Sequence, residues 1–162
     1  MVGLVVPDLL HPFFADVAHG LSMALREEGY FLIVTSSEED PELEDREIEQ
    51  LPARRLDALV IASVRTNAKA YQRITAQGIP YILIDRRFPG DSEYFVGCDA
   101  AVTFTTMTLF ECLFPVSIKQ SHEIGNWAAR FALDLTKAEK KVVTRQVLFK
   151  PTVVIRESSR RA

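Results

Sequence analysis

Short, continuously apolar runs recur along the first 99 residues of the chain. Runs of this length, ended by proline or by small polar residues, are typical of strands that are buried on both faces of a parallel sheet. The predicted strands are Val2–Val6, Phe31–Val34, Ala58–Ala62, Tyr81–Ile84 and the shorter Tyr94–Val96.

Between these runs the apolar positions follow the spacing of a helix. In the first interval they recur every three or four residues, which predicts an amphipathic helix packed on the sheet. These positions are Phe13, Phe14, Val17, Ala18, Leu21, Ala24 and Leu25. Gly29 is expected to end this helix, as Gly78 is expected to end a later one.

Two further intervals predict helices of a different character. Asp40 and Pro41 are a typical N-cap and first helical residue. The charged helix that follows, from Glu42 to Arg55, contains Pro52 at a place where proline should break or kink its last turn. The third interval, Asn67–Gln77, is also predicted to be helical.

Strands that alternate with helices predict parallel β-α-β units with right-handed crossovers. The expected architecture is α/β, an open, doubly wound parallel sheet like a single flavodoxin-type lobe. Ligands of such sheets bind beyond the carboxyl ends of the strands. The stretches to inspect for a site are therefore Pro7–Phe14, Ser63–Thr66 and Asp85–Phe88.

The pattern changes after Asp99. Residues 100–114 are mostly apolar or threonine and favour neither helix nor strand. Further along, Ser121 is expected to cap a helix. The apolar stripe of that helix is Ile124, Trp127, Ala128, Phe131 and Leu135. Two short strands, Val142–Phe149 and Thr152–Ile155, are predicted near the end of the chain.

Composition narrows the class of protein. The chain has 162 residues, of which 48% are hydrophobic and 25% charged, and its net charge is −3. These values fit one globular domain and argue against nucleic-acid binding by the chain as a whole. Two cysteines cannot build a disulfide framework, no apolar run approaches the ~20 residues of a membrane span, and no signal peptide is visible. We expect a cytoplasmic protein without membrane contact.

The residues that carry common enzyme chemistry do not occur in the spacing that this chemistry needs. The turn from Pro7 to Pro12 has no glycine, whereas phosphate-binding loops need one. No histidine has a partner at metal-ligand spacing, and no nucleophile elbow occurs. We therefore expect no enzyme activity, no cofactor and no metal site. The acidic run Glu38–Glu49 is interpreted as a solvated helix face, with an acidic docking face as the alternative.

Two clusters at predicted strand ends are suited to binding a small molecule. Asp8, Phe13 and Phe14 follow the first strand, and Asp85 and Arg86 follow the fourth. Aromatic rings offer a stacking surface, while carboxylate and guanidinium groups offer acceptors and donors for hydroxyl groups. The alternative is that both phenylalanines are core contacts of the first helix.

Taken together, these segments resemble the effector-binding domain of the LacI/GalR family of bacterial transcription regulators. The likeness covers most of the chain and is specific as a combination, although each piece is short. The segments that carry it are Val2–Asp8, His11–Asp16, Gly29–Tyr30, Arg54–Ile61, Gly78–Arg86, Val96–Asp99, Phe114–Gly125, Ala128–Arg130 and Val153–Ser158.

The chain also departs from the pattern of that family. Members carry a DNA-reading helix-turn-helix before the first strand and a second α/β lobe between the two matched parts. The resemblance thus implies an N-terminal lobe whose second lobe is largely missing. We divide the chain into the lobe at 1–99, a junction at 100–114 in place of the second lobe, and a return segment at 115–162.

The resemblance implies a truncated effector-binding domain that binds a sugar or sugar-like molecule without catalysis. Operator DNA would be reached only through the missing N-terminal domain. Effector binding is expected to be weak or absent, because the pocket of the family lies between two lobes. A periplasmic-type sugar-binding lobe and a small flavodoxin-like enzyme are the alternatives. The expected ligand-side residues are Asp8, Phe13, Phe14, Ser63, Asp85, Arg86 and Asp99.

The junction carries an apolar segment that is expected to be exposed when the second lobe is missing. Residues 102–114 include seven large apolar side chains, and each of these gains roughly 1.5–3 kcal/mol when buried. Strand residues 147–149 and 153–155 are expected to have lost their pairing partners too. We expect a homodimer or higher oligomer with 101–115 or the C-terminal strands in the contact. The alternative is a monomer in which the segment packs as a crossover helix.

Overall fold

The computed structural model describes residues 1–63, 69–85, 94–98, 118–137 and 145–149. Its strands are β1 Val2–Val6, β2 Leu32–Ser36, β3 Ala58–Ile61, β4 Tyr81–Ile84, β5 Tyr94–Cys98 and β6 Arg145–Phe149. Its helices are α1 Pro12–Glu27, α2 Pro41–Gln50, α3 Lys69–Ala76 and α4 Ile118–Lys137, and a 3-10 helix spans Leu51–Arg54. The strands form one parallel sheet in the order β2-β1-β3-β4-β5-β6. The predicted α/β fold is confirmed.

Helices cover the central strands on both faces of the sheet. Because successive side chains of a strand point to opposite faces, Leu4 and Val60 pack with α1 and α4, whereas Val5 and Ile61 pack with α2 and α3. All four side chains are buried. This two-sided burial is the physical reason for the continuously apolar runs in the sequence.

The helix ends follow the predicted chemistry. Gly29 and Gly78 adopt positive φ angles of 77° and 73°, and the chain turns out of α1 and α3 at these positions. Asp40 caps α2, since its carboxylate oxygen accepts a hydrogen bond from the backbone N–H of Glu42 at 2.8 Å. The helix predicted over 42–55 is shorter, because α2 gives way to the 3-10 helix that contains the proline.

The second strand differs from its prediction in place and in burial. Its residues run from Leu32 to Ser36, while Phe31 lies outside the strand with 78% of its surface exposed. Every residue of β2 is only half-buried. The reason is its position at the edge of the sheet, where it pairs with β1 alone.

The last described strand corrects one expectation. Residues 147–149 have not lost their pairing partner, because β6 runs parallel to β5 with Tyr94 opposite Arg145 and Cys98 opposite Phe149. The predicted strand at 152–155 and the junction at 100–114 lie outside the described residues.

The C-terminal helix corrects another expectation. In the described chain α4 begins at Ile118, so Ser121 lies inside the helix instead of capping it. Its hydroxyl donates a hydrogen bond to the Asp16 carboxylate of α1 at 3.3 Å. A tertiary partner therefore occupies the side chain that local sequence suggested as a cap. None of the helices in the described ranges has an apolar stretch sufficient to span a bilayer.

Helices α1 and α4 contact each other backbone to backbone. A Cβ atom on Gly20 would overlap the carbonyl oxygen of His122, and one on Gly125 would overlap the carbonyl oxygen of Val17. At the far end of the pair, Lys137 donates a hydrogen bond to Glu28 at 2.7 Å. This hydrogen bond, together with the charge of Glu28, raises the pKa of the exposed Lys137 ammonium.

Gly125→Ala tests the close approach of the two helices. Alanine is a better helix former by about 1 kcal/mol, yet its methyl group must push the helices apart. We expect the free energy of unfolding in urea to fall by about 1–3 kcal/mol. The exposed Glu123→Ala on the same helix should change it by less than about 0.5 kcal/mol. A Gly125→Ala protein as stable as the wild type would contradict this packing.

Candidate functional site at the carboxyl edge of the sheet

The strand order places a crevice at the carboxyl ends of β1 and β3. From β1 the chain moves to β2 on one side, and the later strands are added on the other side, beginning with β3. The two crossovers therefore leave β1 and β3 in opposite directions. Such a reversal is where open α/β sheets bind their ligands. Two of the three stretches that the sequence suggested, at Asp8 and at Ser63, meet at this point.

The turn after β1 is held in shape by its own polar side chains. Asp8 is half-buried, and its Oδ1 accepts a hydrogen bond from the backbone N–H of Leu10 at 2.7 Å. His11 caps α1 by accepting from the backbone N–H of Phe13 at 3.3 Å. The side chain of Leu10 is 91% exposed at the tip of this turn. The turn thus presents a fixed carboxylate beside an exposed apolar side chain.

Phe13 and Phe14 are core residues of the first helix. Their exposed fractions are 7% and 8%, and their rings meet edge to face with centroids 5.0 Å apart. Both belong to the apolar cluster beneath α1 and α4. This placement agrees with the alternative stated from the sequence, in which both rings contact the core. Only a small part of either ring is exposed.

Asp85 occupies an unusual backbone conformation directly after β4. Its φ is 69°, in the left-handed region that few residues other than glycine adopt. Its backbone N–H donates a hydrogen bond to the carbonyl of Val96 at 3.2 Å, which ties the turn to β5. The side chain is exposed. Strained backbone of this kind concentrates at binding sites.

Ser63 lies at the end of β3, but its hydroxyl faces the protein interior. Ser63 is 2% exposed, and its Oγ donates a hydrogen bond to Glu44 Oε1 at 2.7 Å. The hydroxyl of Tyr71 donates to the same carboxylate oxygen at 2.8 Å, and its oxygen is in contact with the Ser63 hydroxyl. Ser63 therefore anchors the end of β3 to α2 and α3.

Glu44 is the residue at this edge that the sequence analysis missed. It was placed in a solvated acidic face, whereas it is completely buried. The spacing of Glu44, Ile48 and Leu51 is a signal that could have identified it. Residues separated by four and then three positions lie on one side of a helix, and all three are buried along α2 and its C-cap. A carboxylate is retained in such a place when hydroxyl groups satisfy it.

The structure thus brings together only part of the predicted set. Asp8, Phe13, Phe14 and Ser63 lie at adjacent strand ends, and Asp85 lies one strand further along the same edge. Arg86 and Asp99 lie outside the described residues. Across the described ranges, no group of three or more His, Cys, Asp and Glu side chains is placed to hold a metal ion.

Glu44→Ala tests the buried hydrogen-bond cluster. The substitution leaves the hydroxyl groups of Ser63 and Tyr71 without this acceptor, so the free energy of unfolding should fall by about 1–3 kcal/mol. Glu44→Gln keeps one acceptor oxygen and should lose less. The matched control is Glu42→Ala, an exposed position on the same helix. Equal urea midpoints for Glu44→Ala and Glu42→Ala would contradict the cluster.

Comparison with known proteins identifies the fold and the family. Residues 1–122 match the model of a family described as periplasmic binding proteins and sugar binding domain of LacI family. The fructose operon regulatory protein of Vibrio cholerae is 31% identical over 140 residues, which are 86% of this chain and 41% of that protein. The chain therefore spans less than half the length of this relative.

Solved structures agree with that match. A Cra transcriptional dual regulator from Pseudomonas putida, in complex with fructose 1-phosphate, is 27% identical with a TM-score of 0.55 over 93% of this chain and 58% of that one. A LacI transcriptional regulator from Lactobacillus brevis has a TM-score of 0.74 over 93% of this chain and 98% of that one, and at 14% identity it shows the fold alone. This chain belongs to the family of periplasmic binding proteins and LacI-type sugar-binding domains.

Proposed function

We propose that this chain is the effector-binding lobe of a LacI-type transcriptional regulator and acts in the cytoplasm as a binding module, not as an enzyme. The observation that carries the proposal is the carboxyl edge of the sheet, where the chain leaves the adjacent strands β1 and β3 in opposite directions, next to Asp8. Membership of the family adds the ligand class, a sugar or sugar-like effector. Any operator contact would be made by residues other than these.

The carboxylates and the exposed apolar side chain at this edge suit a sugar. Carboxylates such as Asp8 and Asp85 accept hydrogen bonds from ring hydroxyl groups, and the exposed Leu10 offers apolar contact beside them. Arg86 follows Asp85 directly and would supply the cation that a phosphorylated sugar requires. Ser63, whose hydroxyl is bonded to Glu44, contributes by holding the end of β3 in place.

Affinity for the effector should be low in this form. Ligand pockets normally bury about 70–90% of a bound molecule, and a single sheet edge contacts it from one side only. A dissociation constant near 1 mM corresponds to about −4 kcal/mol of binding free energy. The 162-residue chain should bind no more tightly than that.

Amide chemical shifts in ¹⁵N-labelled protein test the location and strength of binding. During titration with fructose 1-phosphate or fructose, shifts should be confined to 8–14, Ser63 and Asp85, with a millimolar midpoint. Asp85→Asn keeps a residue that tolerates positive φ but removes the charge, so it should weaken binding at least about threefold. The matched control is Asp57→Asn, which lies before β3 at the opposite edge.

Three outcomes would contradict this assignment. Shifts centred on the amino edge near Asp57 would place the ligand elsewhere. Identical shifts with inorganic phosphate would mean that the sugar is not recognised. Micromolar affinity would require a second wall from another chain.

Association between chains is the second part of the proposal. The apolar residues at 102–114 favour burial against another surface, and β6 is an edge strand of the described sheet. We expect light scattering at tens of micromolar protein to give a dimer or larger, and Phe110→Asp to shift the mass toward the monomer. A monomer mass that Phe110→Asp leaves unchanged would overturn this expectation.

A further inference from the structure

We propose that His19 and His122 form a binding site for a divalent transition-metal ion, with Zn²⁺, Ni²⁺ and Cu²⁺ as the ions it takes. His19 is exposed on α1, and His122 is half-buried on α4. Their ring centroids are 5.6 Å apart, and their planes are inclined by 53°. No sequence spacing hints at this pair, because the packing of two distant helices creates it.

The separation of the rings is the one that a shared ion requires. A metal ion binds an imidazole nitrogen at about 2.0–2.1 Å, so two imidazoles on one tetrahedral ion have ring centroids about 5–6 Å apart. The remaining positions around the ion would be filled by water. Imidazole suits these borderline ions, whereas Mg²⁺ and Ca²⁺ prefer oxygen ligands.

The neighbours of His122 fit a ligand role. Asn126 Nδ2 lies 3.2 Å from Nδ1 of the His122 ring. After a half-turn of the amide, its oxygen accepts the Nδ1–H and leaves Nε2 as the nitrogen for the metal. Metal-binding histidines are commonly oriented in this way through their second nitrogen.

The backbone holds the two imidazoles in place. Gly20, which follows His19, lies against the carbonyl oxygen of His122 itself, so the residues that carry the rings are adjacent at one of the two close approaches of the helix pair. The hydrogen bond from Ser121 to Asp16 joins the same two helices, and Asp16 lies about one helical turn before His19. A preorganised pair of ligands on rigid helices binds an ion with little loss of side-chain freedom.

A bound ion would link α1 to a helix that is distant along the chain. Cross-links that close long loops stabilise most, because they remove the most freedom from the unfolded chain. The ion would therefore hold the return segment on the lobe. Its binding would raise the melting temperature, and the rise would follow the logarithm of the ion concentration once this exceeds the dissociation constant.

Calorimetry and thermal unfolding on the chelator-treated 162-residue chain without a polyhistidine tag test the site. With ZnCl₂ or NiCl₂ we expect one ion per chain, micromolar affinity and a higher melting temperature, and no effect of MgCl₂. His19→Ala and His122→Ala should each weaken binding at least tenfold, and Asn126→Ala by up to about tenfold. The exposed position of His19 makes His19→Ala the variant that keeps the fold.

The control is His11→Ala, which removes the third histidine, at the N-cap of α1 about two helical turns from His19, and should leave the affinity for zinc unchanged. Binding that survives in the His19→Ala, His122→Ala double variant overturns the proposal. So does binding that is lost in a Cys98→Ser, Cys112→Ser variant, because the thiols would then be the ligands. Absence of both binding heat and a melting shift with ZnCl₂ and with NiCl₂ also overturns it.

Discussion

The backbone contact between α1 and α4 is the constraint on which the rest of the described structure depends. Gly20 and Gly125 have no side chains, so each helix lies against the carbonyl oxygens of the other. The pair covers one face of the sheet as a unit, and the apolar stripe of α4 reaches β3, β4 and β5. With α4 in place, the chain can return to add β6 beside β5. A helix far along the chain thus completes the core begun by the first one.

The opposite face is organised around a buried glutamate side chain instead of glycine. The Glu44 carboxylate accepts hydrogen bonds from Ser63 and Tyr71, which come from the end of β3 and from α3. A satisfied polar group in an apolar layer has few alternative arrangements, because each misplacement leaves an unpaired partner. This cluster therefore fixes how α2, α3 and the end of β3 meet. The carboxyl edge, where the ligand would bind, stands directly above it.

The family relationship and the geometry of the sheet edge give different kinds of information about this chain. The comparisons assign the family and the fold, while the strand order and the hydrogen bonds of Asp8, Ser63 and Asp85 describe what this particular edge offers. The chain spans 41% of the Vibrio cholerae relative, and its described residues form one sheet with a single carboxyl edge. A single edge of this kind can hold a ligand's orientation, but enclosure requires a second surface.

The sequence by itself determined the features that depend on neighbours along the chain. Apolar runs predicted the strands, Gly29 and Gly78 predicted helix ends, and Asp40 predicted a cap, because each of these is governed by residues within one turn or one strand. The alternation of predicted strands and helices was sufficient to predict the α/β fold. The fold in turn indicated the carboxyl ends of the strands as the place to look for a site, and the family resemblance implied which residues would line it.

Tertiary structure alone decided the features that depend on partners distant in sequence. Phe31 is exposed because β2 became an edge, Ser121 bonds to Asp16 because α4 packs on α1, and Glu44 is buried because two hydroxyl groups from other elements meet it. The pairing of His19 with His122 has the same origin. Local patterns report which face of an element is apolar, but not which residue of another element will lie opposite it. That choice follows from packing whole helices and strands together, so it exists only in the folded chain.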